Sequence, residues 1–338
     1  MSDTGEQPIT ARILWVGPDD LLARAGGLMG RAGWESSAAA SPVAAIKRLR
    51  AEGGIDVIVM VPGSELSAFS EACRNIKFDG RMKVAVAFLL DEIHAARACD
   101  LLECGADECI LLSAPAREIF LRLRNAIHVK QATDSMENAS VMILSLARAI
   151  EGKDVYTCGH VERVGVYSVE IGRKLGLSES DLEALRVGGI VHDIGKVGIP
   201  DHVLNKPGKL SEEEFAVIKR HPMIGYDILR PMRTFANVLP IVRWHHEKPS
   251  GKGYPDGLKG KEIPVLARIA AVADWFDALI TDRPYRKAFP VPECLRMLRQ
   301  AVAAGDLDGD VVEAMCDIMT SELGASMAAL ASNAAIAA

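Results

Sequence analysis

The sequence has 338 residues, enough for two domains that each bury a core. Its 49% hydrophobic and 25% charged residues are typical of a globular protein, and the net charge of -6 argues against a duplex nucleic acid partner. Because the first residues are acidic and polar and no apolar run approaches the length of a membrane span, we expect a cytoplasmic protein without a membrane partner.

Short apolar strands alternate with helical segments over residues 1–130. Strands are predicted at 12–16, 56–61, 84–90 and 109–112, and helices at 21–29, 42–50, 65–76, 93–104 and 116–129. This alternation predicts an α/β domain with a doubly wound, flavodoxin-like parallel sheet.

The acidic pair Asp19-Asp20 after the first strand and the turn of residues 105–108 before the last strand resemble a response-regulator receiver domain. The resemblance implies a phosphoacceptor Asp after strand three, a Ser or Thr ending strand four and a Lys after strand five. The chain instead has Met60-Val61-Pro62-Gly63, Ala87-Phe88-Leu89 and Leu112-Ser113-Ala114-Pro115. We predict a pseudo-receiver used for dimerisation or for contact with signalling partner proteins. Asp19 and Asp20 form either a Mg²⁺ site or, as we favour without those partners, a solvated turn.

A helical pattern without a strong turn signal runs over residues 118–145 and is interpreted as a connecting helix. It would join the receiver-like domain of residues 1–130 to a second domain of residues 134–338. In a homodimer this helix can pack as a coiled coil, although fewer than three clean heptads are present.

The segment of residues 191–196 ends an apolar helical pattern that is predicted to begin at a capping box of Ser180 and Glu183. The helix brings the His192 imidazole and the Asp193 carboxylate to one point, with Lys196 one turn further on. That arrangement suits a divalent metal beside a phosphate. A His-Asp pair alone is more often a hydrogen bond within a core.

Further imidazoles and a carboxylate occur at helix ends or on apolar faces. They are His160 near a helix start, His221 before Pro222, the pair His245-His246 at a helix end, and Asp274 on the apolar face of a helix opened by Pro264. Together with His192 and Asp193 they include five of the eight histidines. Such a mixed ligand set suits two ions of Fe, Mn, Zn, Co or Ni and fits Mg²⁺ or Ca²⁺ poorly.

Two segments near these candidates carry ambiguous signals. A second capping box, Ser211 with Glu214, starts a helix that is predicted to turn Phe215 and Ile218 towards the core. The glycine- and proline-rich residues 249–257 are either a loop that contacts a ligand or a mobile surface loop.

The seven cysteines have no C-x-x-C spacing and are interpreted as reduced, mostly buried thiols.

Six motifs resemble, in order and spacing, those of the HD-GYP family of cyclic di-GMP phosphodiesterases. They are HDIGKVGIPD, KPGKL, RHPMIGYDIL, HHEKPSGKGYP, ARIAAVADWFDAL and RPYRKAF, between Val141 and Phe289. The resemblance implies an all-α, HD-superfamily helical bundle that hydrolyses cyclic di-GMP to pGpG, and to GMP if pGpG is cleaved again.

The resemblance also implies roles for individual residues. The metal ligands would be His160, His192, Asp193, His221, His245, His246 and Asp274. Asp193 and Lys196 would be catalytic, and substrate would contact Lys196, Gly253, Tyr254, Pro255, Arg283 and Arg286. Tyr156 stands where members with a third metal have Glu, so we expect two ions, with Fe or Mn favoured. Ser250 replaces an Asp of many members, which puts substrate affinity or loop order in doubt.

The mechanism predicted from this resemblance is two-metal hydrolysis of a phosphodiester. Asp193 would bridge the ions, with His160, His192 and Asp274 mainly on one and the remaining three histidines on the other. A water acidified by the ions would attack phosphorus, and Lys196 would stabilise the charge that develops on the phosphate. The arginines would grip phosphate in a fork geometry, and Tyr254 would lie near a guanine.

Two rival functions stay open from the sequence. An HD-superfamily nucleotidohydrolase acting on a dNTP or a ppGpp-like nucleotide needs only His160, His192, Asp193 and Asp274, which leaves the other candidates unexplained. A catalytically silent cyclic di-GMP sensor or scaffold would agree with the degenerate receiver half, but the complete set of candidate ligands argues against it.

Overall fold

The computed structural model describes residues 10–19, 34–62, 65–79, 82–152, 159–282 and 286–321, together with Gly324 and Met327. The chain divides into two compact units, residues 1–138 and 139–338. Among the described residues, no helix is both long and apolar enough to cross a membrane.

The first unit is built around a five-stranded sheet. Its strands are β1 (Arg12–Val16), β2 (Glu35–Ala39), β3 (Val57–Met60), β4 (Ala85–Leu90) and β5 (Glu108–Leu111). All neighbouring pairs are parallel, and the strand order is β2-β1-β3-β4-β5. The predicted doubly wound, flavodoxin-like domain is therefore confirmed.

Helices cover both faces of this sheet. They are α1 (Pro42–Ala51), α2 (Leu66–Phe78), α3 (Ala98–Glu103, after a 3-10 turn at Ala95–Arg97) and the first part of α4 (Ala116–Glu151). Phe69 and Ile76 of α2 pack in the core on one face, and Ile119 and Ile127 of α4 pack on the other. Strands β3 and β4 are buried along their whole length, as expected for the centre of a parallel sheet.

Three details of the first unit bear on the predictions. Strand β2 was not predicted, and the predicted helix at 21–29 lies outside the described residues, as does Asp20. At the carboxyl end of β3, Met60 and Val61 are fully buried apolar side chains. The site where a receiver carries its acceptor carboxylate therefore holds only apolar groups among the residues that the structure describes.

The second unit is helical in its described parts. After the end of α4 it contains α5 (His160–Lys174), α6 (Glu179–Val191), α7 (Asp201–Leu204), α8 (Glu212–Ile218), α9 (His221–Leu229), α10 (Leu239–Trp244), α11 (Val265–Ile280), α12 (Val291–Ala303) and α13 (Gly309–Met319). Its 3-10 segments are Ile194–Gly198, Arg233–Val238 and Gly260–Glu262. Tyr167 and Phe276 meet edge to face at 5.2 Å in its main core. The predicted all-α bundle is confirmed.

Two local predictions for this unit were wrong. Helix α6 is capped by Ser178, whose side chain accepts a hydrogen bond from the Asp181 backbone N–H, and not by Ser180. Phe215 was predicted to point into the core but is 46% exposed, since α8 buries none of its residues. The capping box of Ser211 and Glu214 is present as predicted.

The described cysteines are free thiols. Cys73, Cys104, Cys294 and Cys316 are buried, Cys109 is half-buried and Cys99 is exposed, whereas Cys158 lies outside the described residues. Burial raises the pKa of the Cys73 thiol to about 12, so this side chain stays a neutral, unreactive part of the core.

Candidate metal centre

The centre is built on the junction between α6 and the 3-10 segment that follows it. The helix ends at Val191, His192 forms its C-terminal cap, and Asp193 begins the tighter turn. A Cβ atom on Gly195 would lie only 1.9 Å from the His221 carbonyl oxygen. Glycine at this position therefore lets the turn pack directly against the start of α9, which brings Asp193 beside His221.

All seven candidate ligands of the sequence lie in two neighbouring groups. Asp193, His221, His245 and His246 form one group, and His160, His192 and Asp274 form the other. Within each group the potential ligand atoms lie within 4.8 Å of one another. Helices α5, α6, α9, α10 and α11 or their ends supply these residues, which are far apart in the chain.

Hydrogen bonds that Nδ1 makes to oxygen atoms fix the orientation of four of the five imidazoles. His192, His221 and His245 donate from Nδ1 to backbone carbonyls, at 2.8 Å to Gly189, 2.8 Å to Ile218 and 3.0 Å to Ile241. His160 makes a 2.8 Å bond from Nδ1 to Asp277. When the imidazole is neutral and its proton is on Nδ1, Nε2 keeps its lone pair and can ligate a metal.

The Nε2 atoms of these imidazoles lie close to one another and to the Asp193 carboxylate. Nε2 of His221 lies 3.3 Å from Nε2 of His245 and 3.0 Å from Oδ1 of Asp193. Nε2 of His192 is buried and has no hydrogen-bond partner. Acceptor atoms that face one another in a buried site repel unless a cation lies among them, so this donor set fits metal ions.

Three histidines of the centre have shifted pKa values, and two of the three shifts favour the neutral, metal-binding form. Burial and neighbouring histidines lower the pKa of His245 well below its ordinary value and lower that of His246 to about 3. His192 is the exception: burial lowers its pKa, but the carboxylates of Asp193 and Asp274 outweigh burial and raise it to about 9. Metal binding at His192 therefore has to release a proton.

Asp193 is held ionised at the meeting point of the two groups. Burial alone would raise the pKa of its carboxyl, but the charge of Lys196 and contacts with His192 and His221 bring it well below the ordinary value. Lys196 Nζ lies 2.7 Å from Oδ2 of Asp193. The amine of Lys196, which was predicted to lie one turn further on, thus pairs with the Asp193 carboxylate.

A buried carboxylate behind His160 was missed by the sequence analysis. Asp277 is fully buried and accepts hydrogen bonds from His160 Nδ1 at 2.8 Å and from Arg163 Nε at 2.6 Å. Burial would raise the pKa of Asp277, but these two partners outweigh it and lower that pKa. The sequence does contain a signal for this role, because Asp277 follows Asp274 by three residues and so lies on the same helix face.

The glycine- and proline-rich loop is anchored by a second residue that the sequence analysis missed. Glu247 is buried, and its carboxylate accepts backbone N–H bonds from Asp256, Gly257 and Leu258 at 2.6, 2.9 and 3.1 Å. A Cβ atom on Gly253 would lie 2.4 Å from the Lys248 backbone nitrogen. The loop is therefore folded back tightly on the residues after His246, and the alternative of a mobile surface loop is not supported.

The loop places Tyr254 beside the centre. Its ring packs against the His246 ring at 4.8 Å with an interplanar angle of 30°, and its peptide bond to Pro255 is cis. Ser250, at the position where many family members have Asp, pairs with Lys259 and donates its backbone N–H to Gly305. These are backbone contacts, and the Ser250 hydroxyl itself is buried without a hydrogen-bond partner among the described residues.

Of the two arginines predicted to grip phosphate, Arg286 lies within the described residues. Arg286 donates to the carbonyls of Ala278, Leu279 and Lys287 and lies over the Phe289 ring at 4.4 Å. Arg283 lies outside the described residues, as does Tyr156, on which the expected number of ions depends.

Comparisons with known proteins agree with this geometry. The HD domain family matches residues 145–311. The cyclic di-GMP phosphodiesterase response regulator RpfG of Xanthomonas campestris is 33% identical over an alignment of 270 residues, which covers 73% of this chain and 71% of RpfG. This chain belongs to the HD-GYP family. Its receiver-like unit and helical bundle are those predicted from the motifs.

Other relatives of this HD-GYP chain match about half of its sequence. A cyclic di-GMP phosphodiesterase of Thermotoga maritima is 42% identical over 48% of the chain and 45% of its own length. The 3'3'-cGAMP-specific phosphodiesterase 3 of Vibrio cholerae is 39% identical over 47% of the chain and 35% of its own length. The HD-GYP chain therefore spans less than half of these two relatives.

Proposed function

We propose that this protein is a metal-dependent phosphodiesterase that hydrolyses cyclic di-GMP to linear pGpG, with GMP as the product of a second cleavage. The observation that carries the proposal is the convergence of five imidazoles and two carboxylates in two adjoining groups. The names of the relatives, which act on cyclic di-GMP or on 3'3'-cGAMP, indicate a cyclic dinucleotide as the substrate class.

The ligand set supports two ions, one for each group. We propose His160, His192 and Asp274 for one ion and His221, His245 and His246 for the other. Asp193 would bridge them, since its Oδ1 lies 3.0 Å from His221 Nε2 and its Oδ2 lies 3.3 Å from His192 Nε2. Imidazole and carboxylate donors favour Fe or Mn, with Zn, Co and Ni as alternatives.

In this proposal the protein's own groups orient and stabilise the reacting phosphate. Divalent ions in such a site supply Lewis-acid polarisation of the phosphate and a water acidic enough to attack phosphorus. Lys196, beside Asp193, would stabilise negative charge on the non-bridging phosphate oxygens. Gly253, Tyr254 and Pro255 would line the substrate cleft next to His246. For Arg286 to grip phosphate, its guanidinium would first have to release the carbonyls of Ala278 and Leu279.

The decisive experiment is anaerobic purification with elemental analysis, followed by product analysis after incubation with cyclic di-GMP. We expect about two transition-metal ions per chain and the formation of pGpG. Turnover of a dNTP or a ppGpp-like nucleotide in place of cyclic di-GMP would identify a nucleotidohydrolase. Tight binding of cyclic di-GMP by the metal-loaded protein without any turnover would identify a silent sensor.

We also propose that the chain forms a homodimer through the receiver-like unit and α4. Along α4, the residues Val129, Ala132, Met136, Ala139, Ile143 and Leu146 follow the alternating three- and four-residue spacing of a coiled-coil seam. Val129 and Met136 are more than half exposed. Light scattering should give a dimer for the wild type and a monomer for Met136→Glu, whereas Val141→Glu on another face of α4 should remain dimeric. A monomeric wild type at micromolar concentration would refute the proposed dimer.

A further inference from the structure

Phe215 breaks the usual rule of burial next to the candidate metal centre. It is 46% exposed and is the one exposed Phe, Tyr or Trp among the described residues of the second unit. Its helix, α8, is short and buries no side chain, so the position does not need an apolar residue for packing. An exposed aromatic ring beside a candidate site is free to contact a ligand.

The rings of His246, Tyr254 and Phe215 contact one another in that order, beginning at the centre. His246, a proposed ligand, packs on Tyr254 at 4.8 Å, and Tyr254 meets Phe215 at 6.5 Å with an interplanar angle of 82°. Lys219 Nζ lies 5.1 Å from the centroid of the Phe215 ring. Two aromatic side chains thus lie next to His246, and the ammonium group of Lys219 lies over the outer ring.

We propose that Phe215 and Tyr254 form a purine subsite in which one base of the cyclic dinucleotide stacks on the Phe215 ring. This inference rests on the proposed function. A nucleotide carries its base one ribose away from its phosphate, and Phe215 lies one ring beyond the tyrosine that packs on His246. Aromatic rings combined with a basic side chain are the usual surface for an unpaired base with its phosphate.

Stacking on Phe215 makes a specific prediction about base preference. Every purine has a π face, so stacking tolerates a change from guanine to adenine, whereas recognition of base edges does not. Loss of the Phe215 ring should therefore weaken the binding of cyclic di-GMP and the binding of 3'3'-cGAMP by the same factor. The preference between these two ligands should be unchanged.

The test compares Phe215→Ala, Phe215→Leu and Phe215→Trp in the metal-loaded full-length chain. The readouts are the Kd of a phosphorothioate analogue of cyclic di-GMP and the KM and kcat for cyclic di-GMP. The Ala and Leu variants should raise Kd and KM about 10-fold with little change in kcat, and Trp should retain wild-type binding. Phe78→Ala, which removes an 81% exposed phenylalanine from the first unit, is the matched control and should change none of these.

Hydrolysis of bis(p-nitrophenyl) phosphate, which carries no purine, separates the subsite from the metal centre. An unchanged rate with this substrate in Phe215→Leu, together with weakened cyclic dinucleotide binding, supports the subsite. An equal loss with both substrates, wild-type Kd values in the Ala and Leu variants, or a loss confined to one of the two cyclic dinucleotides would overturn it. A wild type that neither binds nor cleaves cyclic dinucleotides would refute the proposed function itself.

Discussion

The two units differ in what they bury. Among the described residues, every buried polar or charged side chain lies in the second unit: His160, Ser168, His192, His221, His245, Glu247 and Asp277. The buried side chains of the first unit are apolar. A buried polar group costs about 1–3 kcal/mol unless it has a partner, so the second unit carries a destabilising set that only hydrogen bonds or a ligand can offset.

The same contrast appears at the position where each unit would place its chemistry. In the first unit, the end of β3 holds Met60 and Val61, which are fully buried and offer no carboxylate for a phosphoryl group or for Mg²⁺. In the second unit, the end of α6 holds His192 and Asp193. A fold can therefore lose its reactive groups and keep its core, because apolar burial alone maintains the sheet.

The largest effect is expected when Asp193, the carboxylate that we propose bridges the ions, is removed. Asp193→Ala removes a carboxylate whose Oδ2 lies 3.3 Å from His192 Nε2 and whose Oδ1 lies 3.0 Å from His221 Nε2. We expect loss of bound metal and a fall in cyclic di-GMP turnover of about 10³-fold or more, while far-UV circular dichroism keeps its helical signal. The measurements are elemental analysis and product chromatography.

Asp227→Ala is the matched control for this variant. Asp227 is an exposed carboxylate on α9 that pairs with Arg230 at 3.4 Å, and its loss should leave metal content and turnover unchanged. Full activity in Asp193→Ala would mean that the two groups do not form one centre.

A smaller effect is expected from the carboxylate behind His160. Asp277→Asn keeps the shape of the side chain but removes the charge that orients the imidazole and balances Arg163. Metal affinity should fall about 10- to 100-fold, as is typical for a hydrogen-bond partner of a metal-bound histidine. Titration of the metal-free protein with Mn²⁺ gives the affinity directly.

Because Asp277 is buried, its replacement can also reduce stability. Thermal unfolding of the metal-free variant measures that part separately, and restored turnover at high Mn²⁺ would show that the centre is otherwise intact. Asp317→Asn changes an exposed carboxylate that pairs with Lys174 and should leave both quantities unaltered. Wild-type metal affinity in Asp277→Asn would limit Asp277 to a role in packing.

Most of the fold was predictable because its elements carry strong hydrophobic patterns. Strands such as β4 are continuous apolar runs, and α11 places Leu266, Ile269 and Phe276 on one buried face, as predicted. Strand β2 was missed because its sequence, Glu-Ser-Ser-Ala-Ala, contains no β-branched or aromatic residue. It is an edge strand formed by pairing with β1, which a local pattern does not reveal.

The proposed ligands were also predictable, because their chemistry and spacing follow a known family. Of the residues around them, Asp277 carries one signal in the sequence, its three-residue spacing from Asp274, whereas Glu247 carries none. Asp277, Glu247 and Phe215 are ordinary members of apolar or charged patterns until the folded chain brings them to His160, to the loop and to Tyr254. Their roles depend on contacts between elements that the sequence does not order in space.

A still smaller effect is expected from Glu247, which tests whether loop order can be separated from metal binding. Glu247→Gln places an amide donor against backbone N–H donors, which weakens the bonds to residues 256–258 by about 1–3 kcal/mol. Hydrogen exchange of these amides should become faster and KM for cyclic di-GMP should rise about 3- to 10-fold, with metal content unchanged. Loss of metal in this variant would show that the loop also holds His245 and His246 in place.

The last prediction concerns the first unit, which we expect to remain unphosphorylated. Incubation with acetyl phosphate and Mg²⁺ should add no phosphoryl group, as intact mass spectrometry will show. A phosphoryl group requires an exposed carboxylate between two acidic metal ligands, and the corresponding end of β3 buries Met60 and Val61. A hydroxylamine-sensitive mass increase would place an acceptor elsewhere in this unit. The contrast between an inert first unit and a reactive second unit would then fail, since both would carry chemistry.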